Sequence, residues 1–162
     1  MQVLSVDDIR RAFVNATEHE LEILDIAPEL LLVDWFPLDF LAWRDPSTPA
    51  RCYVIVELDG EPTGIVLRVA QSPARARNGI CNICRTMQPG TQVSMMSARK
   101  GGEAGRREES IATYMCADAS CHQNVRIAHP LAPGEFRADV DFRIDNTARR
   151  MRDFVRQVRD AD

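Results

Sequence analysis

Apolar residues recur at helical spacing near both ends of the chain. Ser5 and Asp8 fit a capping box, and the apolar side chains after them fall three and four residues apart. This pattern predicts a first helix from about residue 6 to residue 16. Near the other end, the apolar residues of 146–159 share one face and five arginines lie elsewhere, which predicts an amphipathic C-terminal helix within 145–160.

Strand patterns occupy the region between these helices. Residues 21–26 alternate apolar and polar positions, which is typical of a strand. Residues 51–58 and 63–70 are rich in branched apolar side chains and flank Asp59-Gly60, a pair that favours a tight hairpin turn. The run 30–43, LLLVDWFPLDFLAW, is dense in large apolar residues and is expected to lie in the core.

Composition places the chain among ordinary globular proteins. It has 162 residues, 45% of them hydrophobic and 27% charged, which suits one domain with its own core and excludes general disorder. The net charge of -4 is unevenly spread, with a net of -9 over 1–67, +5 over 68–110 and zero over 111–162. The glycine-rich part of the cationic region, 97–110, is expected to be mobile. A cationic excess can face an acidic protein or a phosphate backbone, or can remain a solvated loop.

The sequence also indicates where in the cell the protein is located. No run reaches the roughly 18 apolar residues that a membrane helix needs, and the N-terminal residues are acidic where a signal peptide is apolar. We therefore expect a cytoplasmic protein without a membrane partner. Because that compartment keeps thiols reduced, its five cysteines are better candidates for metal binding than for disulfides.

The cysteine spacing carries the strongest chemical signal. Cys81 and Cys84 form a C-x-x-C pair, and Cys116 and Cys121 form a second close pair after 31 intervening residues. Two such pairs supply four thiolates for a tetrahedral site, with Zn²⁺ the favoured ion. With all four positions filled by protein, the ion has no place for water, which favours a structural role over a hydrolytic one. The four residues between Cys116 and Cys121 suit a helix whose first turn supplies both sulfurs. A knuckle, a hairpin and a helix would then follow one another as in a treble-clef finger.

Several alternatives remain open at this point. A four-cysteine site can also hold iron or an iron–sulfur cluster. His122 and His129 follow the second pair closely enough to replace one cysteine as a ligand. Cys52 lies in the apolar run CYVIV and has no nearby partner, so we expect it to pack in the core as a small hydrophobe.

Motifs for catalysis are missing from the sequence. It contains no P-loop pattern, no H-E-x-x-H and no G-x-S-x-G. We do not expect the glycines of 101–105 to follow a strand and open a helix, as those of a dinucleotide loop would. The sequence therefore predicts a protein that is not an enzyme and has no small-molecule substrate.

The region 77–126 resembles the zinc domain of the elongation-factor-G-binding family, known through the fusidic acid resistance proteins of the FusB type. The resemblance lies in the C-x-x-C pair, the basic glycine-rich stretch 99–107 and the T-Y-x-C-x-D-x-x-C run of 113–121. LDFLAWRDP at 38–46, the following hairpin and the terminal helix are also similar to shorter members. Two features differ from the resistance proteins, because an N-terminal helical bundle is lacking and Asn82 stands where an aromatic residue is expected.

The resemblance implies an α+β fold and a translation function. It suggests one elongation-factor-G-binding domain, with an N-terminal α/β part over 1–76, a treble-clef zinc finger over 77–130 and a C-terminal helix over 145–160. It implies that the protein binds elongation factor G and modulates its release from, or turnover on, the ribosome, with a role in fusidic acid tolerance.

Two hypotheses follow for the basic stretch. In the first, it steers the finger onto an acidic surface of elongation factor G. In the second, it contacts the phosphate backbone of ribosomal RNA. The residues expected to bind the partner are Arg99, Lys100, Arg106, Arg107 and Tyr114, and core packing is the alternative role for Tyr114.

Overall fold

The computed structural model of the protein describes residues 1–26, 30, 32–70, 78–127 and 136–160. Within these residues it is an α+β fold with an antiparallel sheet. The helices are α1 (Val6–Ala12), α2 (Glu18–Glu22), α3 (Gly102–Arg106), α4 (Cys121–Asn124) and α5 (Val140–Arg159). The strands are β1 (Leu41–Arg44), β2 (Arg51–Leu58), β3 (Glu61–Val69), β4 (Asn78–Ile80), β5 (Met87–Pro89), β6 (Val93–Arg99) and β7 (Ser110–Cys116).

A tight turn joins β2 and β3, as the sequence predicted. Asp59 and Gly60 both have positive φ, +54° and +85°, and Leu58 pairs with Glu61 across the turn. Such backbone matches the twist of a two-residue hairpin, and aspartate and glycine adopt it more readily than most residues. The predicted bounds of β2 are confirmed, whereas β3 starts two residues earlier than expected.

One sheet combines the first half of the chain with the cysteine region. Its order is β1-β2-β3-β6-β7, with antiparallel neighbours throughout, while β4 and β5 form a separate pair. The junction between β3 and β6 is short, since only Arg68 and Val69 pair, with Ser97 and Met96. The hairpin that carries the finger is therefore a continuation of the N-terminal sheet.

The N-terminal region departs from two expectations. Helix α1 has the predicted capping box but ends at Ala12, because Phe13 pairs with Gly64 of β3. A Cβ at Gly64 would come within 3.0 Å of the Phe13 ring, so glycine allows this close approach. The strand predicted at 21–26 is wrong, because a second capping box, Thr17 with Glu20, starts helix α2 there.

The sheet has a buried cluster on each face. Cys52, Val54 and Val56 of β2 lie in the cluster shared with the cysteine region and helix α5. Tyr53 and Ile55, which alternate with them, lie in the cluster shared with α1 and the two tryptophans. The expectation that 30–43 is core holds only in part, because Trp35, Phe40, Leu41 and Trp43 are buried whereas Leu32 and Phe36 are exposed.

Two further segments correct the predictions. Helix α5 starts at Val140, six residues before the predicted position, because the Asp139 side chain caps its first turn. The segment 97–110, expected to be a mobile loop, is folded into the end of β6, helix α3 and the start of β7. No helix among the described residues is both long and apolar enough to span a membrane.

Candidate metal centre

A tight knuckle between β4 and β5 presents the first cysteine pair. The Cys81 N–H donates to the Thr86 carbonyl at 3.1 Å, and the Arg85 N–H donates to the Cys81 carbonyl at 2.9 Å. Arg85 adopts a left-handed φ of +59°, which turns the chain back toward β5. The Cys84 N–H also points at the Cys81 sulfur, at 3.4 Å. The knuckle thus holds both thiols on one side.

The second pair comes from two different elements. Cys116 is the last residue of β7, and Cys121 is the first residue of α4. The expectation that one helical turn supplies both sulfurs is therefore corrected. The chain reverses between them in a turn where Asp118 accepts a hydrogen bond from the Ser120 N–H and Ala119 has a φ of +65°.

The four sulfurs meet in one cluster. All lie within 4.8 Å of one another, with 3.5 Å between the Cys81 and Cys121 sulfurs and 3.6 Å between those of Cys84 and Cys116. Tetrahedral zinc with bonds of about 2.3 Å places its sulfurs about 3.8 Å apart. Each thiol is buried, at 4% exposure or less. This donor set fits one structural zinc ion.

Neighbouring polar groups orient the thiols. The Thr86 hydroxyl lies 3.0 Å from the Cys84 sulfur, and the Asn124 amide donates to the Cys116 sulfur at 3.3 Å. Such contacts disperse thiolate charge around a metal. The hydrogen bonds from Cys116, Cys121 and Cys84 also lower the pKa of Cys81. Thr86 and Asn124 were not predicted from the sequence, although both are polar and closely follow a ligand, Cys84 and Cys121 respectively.

Cys52 and His122 lie apart from this cluster. Cys52 is fully buried in the sheet, and burial raises its pKa to about 12, so its expected place in the core is confirmed. The Nδ1 atom of His122 lies 3.1 Å from the Asp39 carboxylate, which also pairs with Arg126 at 2.9 Å. This contact joins α4 to the segment before β1. His129 lies outside the described residues.

The expected partner-binding residues lie at and near the β6–β7 turn. Arg99, Arg106 and Arg107 are exposed, and Lys100 is partly buried. Tyr114 pairs with Met95 across the hairpin and is 51% exposed, so it is not a core residue. Acidic neighbours partly offset the charge, and the ion pairs are Lys100–Glu109, Arg107–Glu109, Arg106–Glu103 and Arg99–Glu20.

The glycines of 101–105 correct another expectation. They do follow a strand, β6, and they do open a helix, α3. That helix has only five residues, however, and the next strand, β7, runs antiparallel to β6. A dinucleotide loop instead opens the long helix of a unit whose strands are parallel. The segment therefore lacks the geometry of a nucleotide loop.

Comparison with protein-family models gives one match. The family described as "FBP C-terminal treble-clef zinc-finger" aligns with residues 8–158. No curated protein and no solved structure gives a significant match. The matched range includes all four clustered cysteines, the hairpin between the two pairs and almost all of α5. The chain therefore belongs to the FBP C-terminal treble-clef zinc-finger family.

Proposed function

We propose that this protein is a binding module, not an enzyme, that engages elongation factor G and modulates its release from, or turnover on, the ribosome. The family match over 8–158 carries this proposal, because it spans the finger and the sheet to which the finger is attached. A buried four-thiol zinc site supports a rigid scaffold for such binding. Cytoplasmic location and a role in fusidic acid tolerance belong to the same proposal.

The turn between β6 and β7 is the surface that we assign to the partner. Arg106 and Arg107 are exposed there, and both take part in ion pairs that water reaches. Exposed pairs of this kind contribute little to stability, so these arginines can exchange their carboxylates for those of a partner at small cost. Tyr114 adds an exposed aromatic ring on the same hairpin.

The charge of this turn favours a protein partner over RNA. Residues 99–109 carry four cationic and three acidic side chains. A polyanionic backbone would repel Glu103, Glu108 and Glu109, whereas a protein surface with mixed charges can pair with both signs. Ribosomal RNA is therefore the second candidate, and a direct comparison decides between them.

The experiment is a calorimetric titration of nuclease-treated elongation factor G into the zinc-loaded protein. We expect a complex, and we expect the double variant Arg106→Glu and Arg107→Glu to weaken it by slowing association, more so at low salt. The matched control is Arg10→Glu with Arg11→Glu, an adjacent exposed pair on α1, which should bind as the unmodified protein does.

Two results would contradict the proposal. One is an absence of heat and of complex at high micromolar concentrations of both proteins, together with retention on ribosomal RNA. The other is equal weakening by both double variants, which would point to overall charge and not to the β6–β7 turn.

A further inference from the structure

Strand β7 forms an open edge of the five-stranded sheet. The Tyr114 carbonyl accepts the Asn82 N–H at 2.8 Å, on the side of β7 away from β6. Alternate residues of an antiparallel strand point their backbone groups to the same side, so those of Ala112 and Ser110 also face outward. In the part of the chain that the structure describes, no hydrogen bond reaches the outward groups of Ala112.

This edge lacks the usual protection against pairing with another strand. Sheets commonly block an edge with charged side chains, proline or a bulge. Residues 110–114 are Ser-Ile-Ala-Thr-Tyr, with no charge and no proline, and their register with β6 is regular. Ser110, Ala112 and Tyr114 are all exposed. Among the described residues, the edge is therefore available to an extended peptide at Ser110 and Ala112, next to the knuckle that occupies the Tyr114 carbonyl.

A groove runs beside the edge. It has a volume of about 310 Å³ and lies between β7 and helix α5, with Asn82 and Ile83 of the knuckle among its lining residues. Its other walls include Ile111 and Phe154, which are apolar. A strand paired with β7 would direct every second side chain to this face of the sheet. The groove thus offers an apolar recess for one such side chain.

Cationic side chains gather at the knuckle end of the groove. Arg150 lines it and donates to the Ile83 carbonyl at 2.6 Å. Arg85, which follows Cys84 in the knuckle, and Arg149, which precedes Arg150 on α5, are both exposed. Asp153, which also lines the groove, pairs with Arg156 at 3.1 Å. This end of the groove therefore favours an acidic ligand.

We propose that β7 binds an extended peptide segment of a partner protein as an added antiparallel strand. An apolar side chain of the segment lies in the groove against α5, and acidic residues at its N-terminal end face the arginines beside the knuckle. Main-chain hydrogen bonds to Ala112 supply affinity, and the groove and charges supply selectivity, as in other cases of strand addition. The inference depends on the edge and the groove, not on the identity of the partner.

The probe is a synthetic nonapeptide with two N-terminal aspartates followed by alternating valine and threonine. Binding to the zinc-loaded protein is followed by fluorescence anisotropy and by amide NMR shifts. We expect shifts at 110–114 and slower amide exchange at Ala112. Two N-methylated forms of the peptide serve as controls. One is methylated on the odd-numbered residues and the other on the even-numbered residues, so each form blocks the N–H groups along one edge of the peptide strand. Only the form that blocks the edge facing β7 should lose binding.

Two substitutions at one position test the protein side. Ala112→Pro removes the outward N–H and leaves both ladder bonds to β6, and proline is tolerated at such an edge position. We expect it to weaken peptide binding by up to about tenfold, as the loss of one backbone hydrogen bond implies. Ala112→Val keeps the N–H and should bind normally. Circular dichroism and zinc content verify that both variants are folded.

Other outcomes overturn the proposal. These are no binding of the peptide at millimolar concentration, equal loss with both methylated forms, or unchanged affinity in Ala112→Pro. A peptide with its aspartates at the C-terminal end that binds more tightly would also contradict the antiparallel arrangement. So would a dimer joined through β7 in sedimentation experiments, since the edge would then belong to a second copy. Binding of elongation factor G through the β6–β7 turn can succeed or fail independently of these results.

Discussion

At the residue scale, the five cysteines divide into two chemical kinds. Four form the buried cluster, while Cys52 lies in the sheet with a pKa raised by burial. A metal site needs several donor atoms within reach of one ion, and Cys52 is not among the clustered thiols. The same residue type therefore has a ligand role in one place and a packing role in the other.

This division can be tested by substitution. Cys52→Val is expected to retain one equivalent of zinc and to change stability by about 1.5 kcal/mol or less, because the change nearly preserves volume. Cys121→Ser removes a ligand and is expected to lose the metal, whose apparent binding energy in zinc fingers is about 10 to 16 kcal/mol. Elemental analysis and thermal melting measure both effects. Loss of zinc from the Cys52 variant would show that the ligand set is wrong.

At the scale of elements, Asp45 fixes the turn between β1 and β2. One of its carboxylate oxygens accepts the N–H groups of Ser47 and Thr48, at 2.9 and 2.8 Å, and the other accepts the Tyr53 hydroxyl at 2.8 Å. Burial opposes ionisation of Asp45, but these hydrogen bonds outweigh it and hold its pKa below the usual 3.8. The carboxylate thus ties the turn to the core of the sheet.

The lowered pKa of Asp45 gives a pH-dependent prediction. A folded-state pKa below the unfolded value contributes stability that is present above about pH 4 and is lost as the pH falls through the folded pKa. Asp45→Asn is expected to cost about 1 to 3 kcal/mol at neutral pH, because it weakens several buried hydrogen bonds. The free energy of unfolding of the unmodified protein and of the variant is measured with urea at pH 7 and at pH 3. The difference between the two proteins should be smaller at pH 3. A difference that is constant with pH would contradict it.

At the scale of the whole molecule, the metal centre and the sheet share one core. The cluster that contains the four ligands also contains Val54 of β2 and Phe154 of α5. The hairpin that ends in Cys116 continues the same sheet. A finger built in this way cannot lose its ion without disturbing the strands to which it is attached.

Removal of zinc should therefore destabilise the whole protein cooperatively. With a competing chelator, calorimetry is expected to show a single transition at a lower temperature, not a separate early transition of the finger. Hydrogen exchange should accelerate in β2 and β3 as well as in β6 and β7. Unchanged protection of Val54 in the metal-free protein would show instead that the two parts unfold separately.

Local patterns predicted those features that depend on neighbouring residues. The ligand cysteines, the Asp59-Gly60 turn, strand β2 and the apolar face of the last helix all follow from short-range spacing. The strand predicted at 21–26 failed because the alternation there also suits a short helix, and the capping box of Thr17 and Glu20 decides between them.

Features that depend on contacts between distant residues could not be predicted from local sequence patterns. Helix α1 ends early because Phe13 meets Gly64, about fifty residues away. The segment 97–110 folds because its ends belong to paired strands, although its glycines and charges suggest a loop. The groove beside β7 requires the order of the sheet and the path of α5, and neither is present in local spacing.

The packing of α5 on β2 has a consequence for synthesis of the chain. Val155 lies in the same buried cluster as Val54, which precedes it by about one hundred residues. The zinc ligands are complete once Cys121 has been made, so the ion can bind a nascent chain whose last helix does not yet exist. Until α5 emerges, one apolar face of the sheet stays uncovered and open to chaperones. Closure of the core thus requires a helix that is synthesised only after all four metal ligands.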